Sequence, residues 1–273
     1  MSAHFTNESL LNFSMPEVRS SMEKALQIVK TQFGRSYGLK NGAVLAQKPS
    51  EYVTSVNPAN PNEVIGYTAK ASAADTEAAL AAMYSGTKKW GKTPATKRIE
   101  LLQSLGAWMR CKRYELAALM VYEVGKTWRE ADADVCEAID FCFYYALEME
   151  RLSQEHITQK IAGEHDVLVY HPRGVAVVIA PWNFPLAILT GMTVAALVTG
   201  NTVIFKPASE TVLVGWKIAQ LFWQAGISKE VLQFISCEDD PVGSSLIDNS
   251  DLATIILTGA TATAKLFLKI RPS

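Results

Sequence analysis

Residues 174–206 read GVAVVIAPWNFPLAILTGMTVAALVTGNTVIFK, and this stretch decides the fold. No charged side chain occurs between Gly174 and Phe205, a run longer than the ~20 apolar residues that a membrane-spanning helix needs. Pro181, Asn183 and Pro185 interrupt it near the middle, however, at the point where the pattern changes from β-branched to helical. Fully buried parallel strands also read as unbroken apolar runs. The stretch is therefore read as strand, turn, helix and strand in a soluble protein, with no membrane partner.

The same grammar continues downstream. VAVVIA, NTVIFKPA, VLQFIS and LATIILTG are β-rich, and FPLAILTGMTVAALVTG, ETVLVGWKIAQLFWQAG and DPVGSSLID separate them. Strands alternating with helical segments predict an α/β fold with a parallel, Rossmann-like sheet over residues 174–273. Such sheets take ligands at the carboxyl ends of their strands, beside helix N-termini. That points to APWNFP, KPASET and LTGATA, which all occupy strand-to-helix turns.

Upstream, residues 1–50 read as an N-terminal arm, with an amphipathic helix from Pro16 to Phe33. YVTSVNPANPNEVIGYTAKAS then reads as strand, turn and strand. From Ser72 to about Glu155 the signals are helical. Ser72 with Asp75 offers a capping box, Thr93 a second cap ahead of Pro94, and Gly125 the end of a third helix. ADADVCEAIDFCFYYALEMERL makes the last long helix, with Glu130, Asp132 and Asp134 as a solvated first turn. Ile157–His171 returns to alternation and reads as a hairpin turning at Gly163-Glu164.

Composition narrows the function. The chain has 273 residues, 49% hydrophobic and 19% charged, with net charge -1, so no general positive field draws it to nucleic acid or acidic membranes. Its four cysteines show no CxxC and no metal-ligand spacing, which predicts no metal site and fits the reduced thiols of a cytoplasm. MSAHFTNESLLNFSM lacks a basic segment followed by an apolar one, so no signal peptide is expected.

Singly, the turn residues are weak signals. Asn183 places a carboxamide at a strand end, able to donate to a developing oxyanion, although such an asparagine more often serves its own turn. Lys206 can reach ribose hydroxyls or a phosphate, or simply point into water. Thr258-Gly259 offers free N–H groups for a pyrophosphate, or a glycine needed only for its backbone. The GxGxxG dinucleotide fingerprint is absent. Glu137 shares a helix face with Phe141, Tyr144 and Glu148, and apolar residues on the other faces predict a buried helix in which an acid needs a partner.

In order, PWNFP, KPA and TGA on successive turns resemble the aldehyde dehydrogenase superfamily, over roughly residues 50–273 and most strongly from Val175 onward. That family's cofactor sheet lacks the glycine fingerprint. EVGKTWREADADVCEAIDFCFYYALEM (Glu123–Met149) and the arm's PEVRSSMEKALQIV are similar to the 1-pyrroline-5-carboxylate dehydrogenase branch, which oxidises glutamate semialdehyde to glutamate. The resemblance implies an oxyanion-hole role for Asn183. It implies a cofactor wall of Ile179, Ala180, Pro181 and Trp182, and a ribose contact at Lys206. The pyrophosphate turn falls at Thr258 and Gly259, and Phe184 and Glu137 are implied substrate contacts. It also implies NAD as cofactor, a small aldehyde as substrate, a homo-oligomer at full length, and an origin either as a single enzyme or as part of a bifunctional proline-oxidising polypeptide.

Two positions depart from the commonest pattern. Ser209 stands where many members carry an acid that grips the adenosine ribose, which admits NADP beside NAD. Ala260 replaces a frequent serine. The resemblance further puts the nucleophilic cysteine and general-base glutamate beyond Ser273, so the catalytic domain is expected to be absent and the chain inactive alone. Cys111, Cys136, Cys142 and Cys237 then read as small apolar fillers. A non-catalytic nucleotide-binding or structural remnant is the alternative, and a coenzyme A acylating relative a third reading. The last helix, TATAKLFLKIRPS, would expose Leu266, Phe267, Leu268 and Ile270.

Overall fold

A computed structural model describes residues 5–40, 43–44, 52–237 and 243–270. In chain order the elements begin with helix α1 (Pro16–Lys30) and strands β1 (Arg35–Tyr37), β2 (Leu39–Lys40), β3 (Ala43–Val44), β4 (Tyr52–Asn57) and β5 (Asn60–Ala69). Four helices follow: α2 (Ala73–Gly91), α3 (Ala95–Cys111), α4 (Arg113–Val124) and α5 (Trp128–Leu152). The hairpin β6 (His156–Gln159) and β7 (Asp166–Leu168) leads into β8 (Val175–Ile179), α6 (Ala187–Val198), β9 (Thr202–Lys206) and α7 (Val212–Gln224). The last elements are β10 (Leu232–Phe234), α8 (Ser244–Asp248), β11 (Leu252–Leu257) and α9 (Thr261–Ile270).

The expected parallel sheet is present, in the order β10-β9-β8-β11. Its central strands β8 and β9 are buried on both faces, which is why they read as continuous apolar runs. Ala176, Val178, Val203 and Phe205 face one core with α3, α5, α6 and α7. Val175, Val177 and Ile204 face a second core with Ala79, Leu80 and Met83 of α2 and Leu246 and Ile247 of α8. The alternation of the pleat sorts these residues to opposite sides.

Local signals account for most boundaries. Ser72 and Asp75 form the capping box of α2, and Thr127 and Glu130 form that of α5. Gly125, at φ 71, ends α4 in the left-handed region that favours glycine. Thr93 is not the cap of α3: Pro94 holds that position, and the Thr93 hydroxyl donates back to the Lys89 carbonyl at the end of α2. The amphipathic helix α1 stops at Lys30 rather than Phe33 and buries Met22, Ala25 and Val29.

The acids ahead of Glu137 are not a solvated turn. Only Glu130 is exposed, whereas Asp132 and Asp134 are 1% and 0% exposed. Asp132 receives Arg113 through Nε at 2.6 Å and Nη2 at 2.9 Å, together with the Leu11 amide at 2.8 Å. Among the cysteines, Cys142 and Cys237 are buried; Cys136 is buried but meets Arg113 Nη2 at 2.9 Å, and Cys111 is exposed, so these two are not apolar fillers. In α9, Phe267 and Ile270 pack against the second core, while Leu266 and Leu268 are exposed.

A third buried carboxylate ties α4 to α7. Glu123 accepts the Leu213 and Val214 amides at 2.9 and 2.7 Å and the Ser55 hydroxyl at 2.8 Å. Those amides are N-terminal groups of α7, which have no intrahelical partner. Burial pushes the Glu123 carboxyl up to about 7, against the lowering effect of these hydrogen bonds. A raised folded-state pKa means that the folded chain holds this proton longer than the unfolded chain. Stability should therefore fall as pH rises from about 4.5 towards 7. Urea titrations across that window should show the fall, and Glu123→Gln, which cannot titrate, should flatten it. Glu123→Ala should cost roughly 3 kcal/mol, because the buried donors lose their acceptor.

Candidate cofactor and aldehyde site

Strand register brings the three turns together. Ile179 is the partner of Lys206 on one side and of Leu257 on the other, so β8, β9 and β11 end at one level. The Ala180 amide donates to the Lys206 carbonyl at 3.4 Å, and the Thr258 amide to the Ile179 carbonyl at 3.3 Å. PWNFP, KPASET and TGATA therefore leave the sheet side by side.

A cleft of about 470 Å³ opens at this edge, lined by Ile179, Lys206, Gly243, Ser244, Leu246, Thr263, Leu266 and Phe267. It unites two of the expected cofactor residues, Ile179 and Lys206. Lys206 is 6% exposed, and so is a buried cation at the strand end rather than a lysine pointing into water. Ala180 is buried and Pro181 half-buried beside the cleft, and Trp182 is exposed. Ser209 lies on a turn of 3-10 helix and donates to Glu210 at 3.3 Å. Thr258 and Gly259 are exposed, and the Thr258 amide is already engaged by the sheet.

The sequence reading missed Gly243 and Ser244, treating DPVGSSLID as a spacer. A glycine just ahead of a helix that follows a buried strand was the available signal, the same one used for Thr258-Gly259.

Asn183 stands on the exposed part of the turn between β8 and α6, with Trp182 and Phe184 on either side. The turn is anchored from α5. Asp134 Oδ1 accepts the Ala187 amide at 2.7 Å, and its Oδ2 accepts Lys126 Nζ at 2.7 Å. The same ammonium lies 4.2 Å from the centroid of the Phe184 ring, within the range of a cation–π contact. Burial raises the Asp134 carboxyl, with Lys126 and the backbone amides opposing. Glu137, one turn further along α5, is half-buried and also raised, first by burial and then by the negative charge of Asp134, with Lys126 opposing. Lys126 thus pairs with Asp134 and lies over the Phe184 ring, and its charge opposes the rise at Glu137 without a direct contact.

Lys126 and Asp134 were legible in principle. A helix with apolar residues on several faces is buried, and any carboxylate on it needs a partner. That argument was applied to Glu137 and holds equally for Asp134.

Nothing in the described geometry makes Cys136 or Cys142 a nucleophile. Burial pushes the Cys136 thiol up to about 12, with Asp132 adding to the rise, and burial raises Cys142 as well. A reactive cysteine has the opposite shift. Among the described residues no helix is long and apolar enough to cross a membrane.

The model of the aldehyde dehydrogenase family matches residues 45–272. The 1-pyrroline-5-carboxylate dehydrogenase of Geobacillus sp. (strain WCH70) is 41% identical over 256 residues, which cover 94% of this chain and 50% of that protein. The protein of the same name from Staphylococcus aureus (strain MW2) is 37% identical over 264 residues, covering 96% and 51%. Among solved structures, 1-pyrroline-5-carboxylate dehydrogenase from Thermus with bound NAD superposes with a TM-score of 0.92 at 41% identity, over 99% of this chain and 52% of that one. Proline utilization A from Bdellovibrio bacteriovorus, inactivated by N-propargylglycine, superposes with a TM-score of 0.94 at 36% identity, over 98% and 28%. The chain spans about half the length of the curated relatives it matches.

The anchoring of the turn is testable through stability. Removing one partner of a buried ion pair leaves the other uncompensated and costs about 3–5 kcal/mol. Asp134→Ala should lower the unfolding free energy by that order in urea. An unchanged midpoint would show that the pair is not held in the folded chain.

Proposed function

The chain belongs to the aldehyde dehydrogenase family, and on that premise we propose that it forms the cofactor-binding part of an NAD-dependent enzyme oxidising L-glutamate 5-semialdehyde to glutamate. The observation that carries this reading is the common level at which β8, β9 and β11 end, with Lys206 at the cleft and Asn183 on the adjacent turn. The names of the relatives support the substrate, and the bound NAD of the Thermus relative supports the cofactor.

The residues fit a dinucleotide. The cleft lies at the carboxyl edge of a parallel sheet, where nucleotides bind in this class of fold. Lys206 supplies a cation for ribose hydroxyls, and Ile179, Ala180, Pro181 and Trp182 form a wall of low polarity. Thr258 and Gly259 lie at the next turn, towards the pyrophosphate. Ser209 puts no acid at its own position, which admits NADP as a second cofactor, while the Glu210 carboxylate 3.3 Å from its hydroxyl favours NAD. When bound, the nicotinamide supplies the hydride acceptor.

Within the reaction this chain contributes Asn183, whose side-chain amide donates to the oxygen of the aldehyde as it gains negative charge. A preformed donor of this kind acts on charge that develops in the transition state. Phe184 borders the aldehyde path, and Glu137 accepts from the substrate's ammonium. The cysteine nucleophile and the general base of the proposed cycle come from the length of the relatives that this chain does not span. The exposed hairpin β6–β7 is the proposed contact with a second subunit. The proline utilization A likeness supports a place beside a proline-oxidising module.

Two measurements test the proposal. Titration calorimetry of the chain with NAD should show binding, and Lys206→Ala should weaken it about tenfold, the equivalent of one lost charge-assisted hydrogen bond. No detectable binding by the unaltered chain would remove the cofactor reading. In a chain continued to full length with the remainder of the Geobacillus protein, Asn183→Ala should lower kcat/KM by about 10²–10³. NAD binding without turnover by that chain would favour a nucleotide-binding remnant.

A further inference from the structure

Lys126 lies between two helices in the five residues EVGKT, Glu123 to Thr127. Glu123 holds the first amides of α7, Gly125 turns the chain out of α4, and Thr127 caps α5. Lys126 is thereby held between fixed neighbours, and its side chain is only 10% exposed. Its ammonium bridges Asp134 on α5 and the ring of Phe184 on the PWNFP turn.

The turn itself has few supports. Trp182, Asn183 and Phe184 are exposed, and α6 begins at Ala187 with Leu186 at the N-cap, which supplies no side-chain cap. Among the described residues its buried side-chain acceptor is Asp134, 53 residues earlier, which takes the Ala187 amide. Asp134 and Lys126 therefore grip the turn at both ends of its last half: at Ala187 through a hydrogen bond, and at Phe184 through the ring. Asn183 is next to the gripped ring.

We propose that Lys126, clamped by Asp134, is a positioning residue that sets the orientation of the turn carrying Asn183. The clamp rests on the oxyanion reading of Asn183 only for its consequence in catalysis. Placement of the turn is measurable whether or not Asn183 serves that role. An oxyanion donor is useful only when its geometry is fixed beforehand, and Lys126 fixes it from outside the sheet. A simple stabilising ion pair would not discriminate between this turn and the rest of the fold.

Amide hydrogen exchange on the 273-residue chain separates the two. Exchange reports local opening as well as global unfolding. In Lys126→Met the Ala187 amide should exchange at least about tenfold faster, while Leu213 and Val214, held by Glu123, should stay within about twofold of the parent chain. Lys126→Arg, which keeps a cation able to pair with Asp134 and cover the ring, should restore most of the protection. Phe184→Leu provides the second variant, because it removes the ring from the ammonium while keeping an apolar side chain at a largely exposed position. It should speed exchange at Ala187 with the ion pair intact.

The proposal is overturned by parental protection of Ala187 in Lys126→Met, by equal acceleration at Ala187 and Val214, or by an Arg variant no better than Met. Should Lys126→Met not fold, unchanged exchange in Phe184→Leu overturns it. A loosened turn together with a harmless Asn183→Ala in the turnover test would remove the oxyanion reading and leave the clamp.

Discussion

Pairing of β8 with β9 on one side and β11 on the other is the constraint from which the candidate site follows. β8 is buried on both faces, so a slip of one residue would exchange the side chains that face the two cores. Val178 and Ala176 would then face α2, and Val175 and Val177 the helices of the larger core. The register is thus held by packing, and with it the level at which Ile179, Lys206 and Leu257 end. Three turns that are weak signals individually become neighbours because one central strand cannot shift. The cleft at Lys206 is a result of that alignment rather than of any single loop.

Around the sheet, three buried carboxylates do work that is usually left to capping side chains. Glu123 takes the first amides of α7, Asp134 takes the amide at the start of α6, and Asp132 takes Arg113 and an amide of the arm. Helix N-termini attract negative charge, which offsets part of the cost of burying it. Asp132 and Asp134 have in addition a paired cation, Arg113 and Lys126. Among the described residues the donors to Glu123 are neutral, which is consistent with its carboxyl being pushed up to about 7. Each acid joins elements far apart in sequence, and breaking one would loosen a particular helix end more than the hydrophobic core.

What the sequence made legible follows from how local each signal is. The strands declared themselves because a buried parallel strand needs apolar side chains on both faces, and the turn at Gly125 because a left-handed residue calls for glycine. The order PWNFP, KPA and TGA marks the sheet edge in the sequence itself. Asp132 and Asp134 were read as solvated because their partners lie elsewhere in the chain: Arg113 on the preceding helix, Ala187 beyond the hairpin. A carboxylate in the first two turns of a capped helix has the same local pattern whether it faces water or an arginine. Thr93 failed as a cap for a related reason, since its hydroxyl had a nearer acceptor in the helix just ended. Gly243 and Ser244 were overlooked because a short helix leaves little periodicity to read.

The arm adds a last step to this account of α5. Residues 5–11 run along a single stripe of the helix: Leu11 donates to Asp132, the Ser9 carbonyl takes Arg113 beside Cys136, Glu8 and Asn7 donate to Asp140, and Phe5 meets the edge of Tyr144. The contacts advance four residues on the helix for about two on the arm. Four helical residues rise about 6 Å, and two extended residues span about 6.8 Å, so the two chains stay nearly in step over this length. An extended segment with polar backbone groups is thereby satisfied without forming a sheet. On a different face the same helix presents Asp134 to Lys126 and to the Ala187 amide of the turn. Fixing one side of α5 with the arm therefore fixes the height and rotation at which its other side meets the turn. On this argument the arm, remote from the sheet edge, belongs to the framework that holds Asn183 in place.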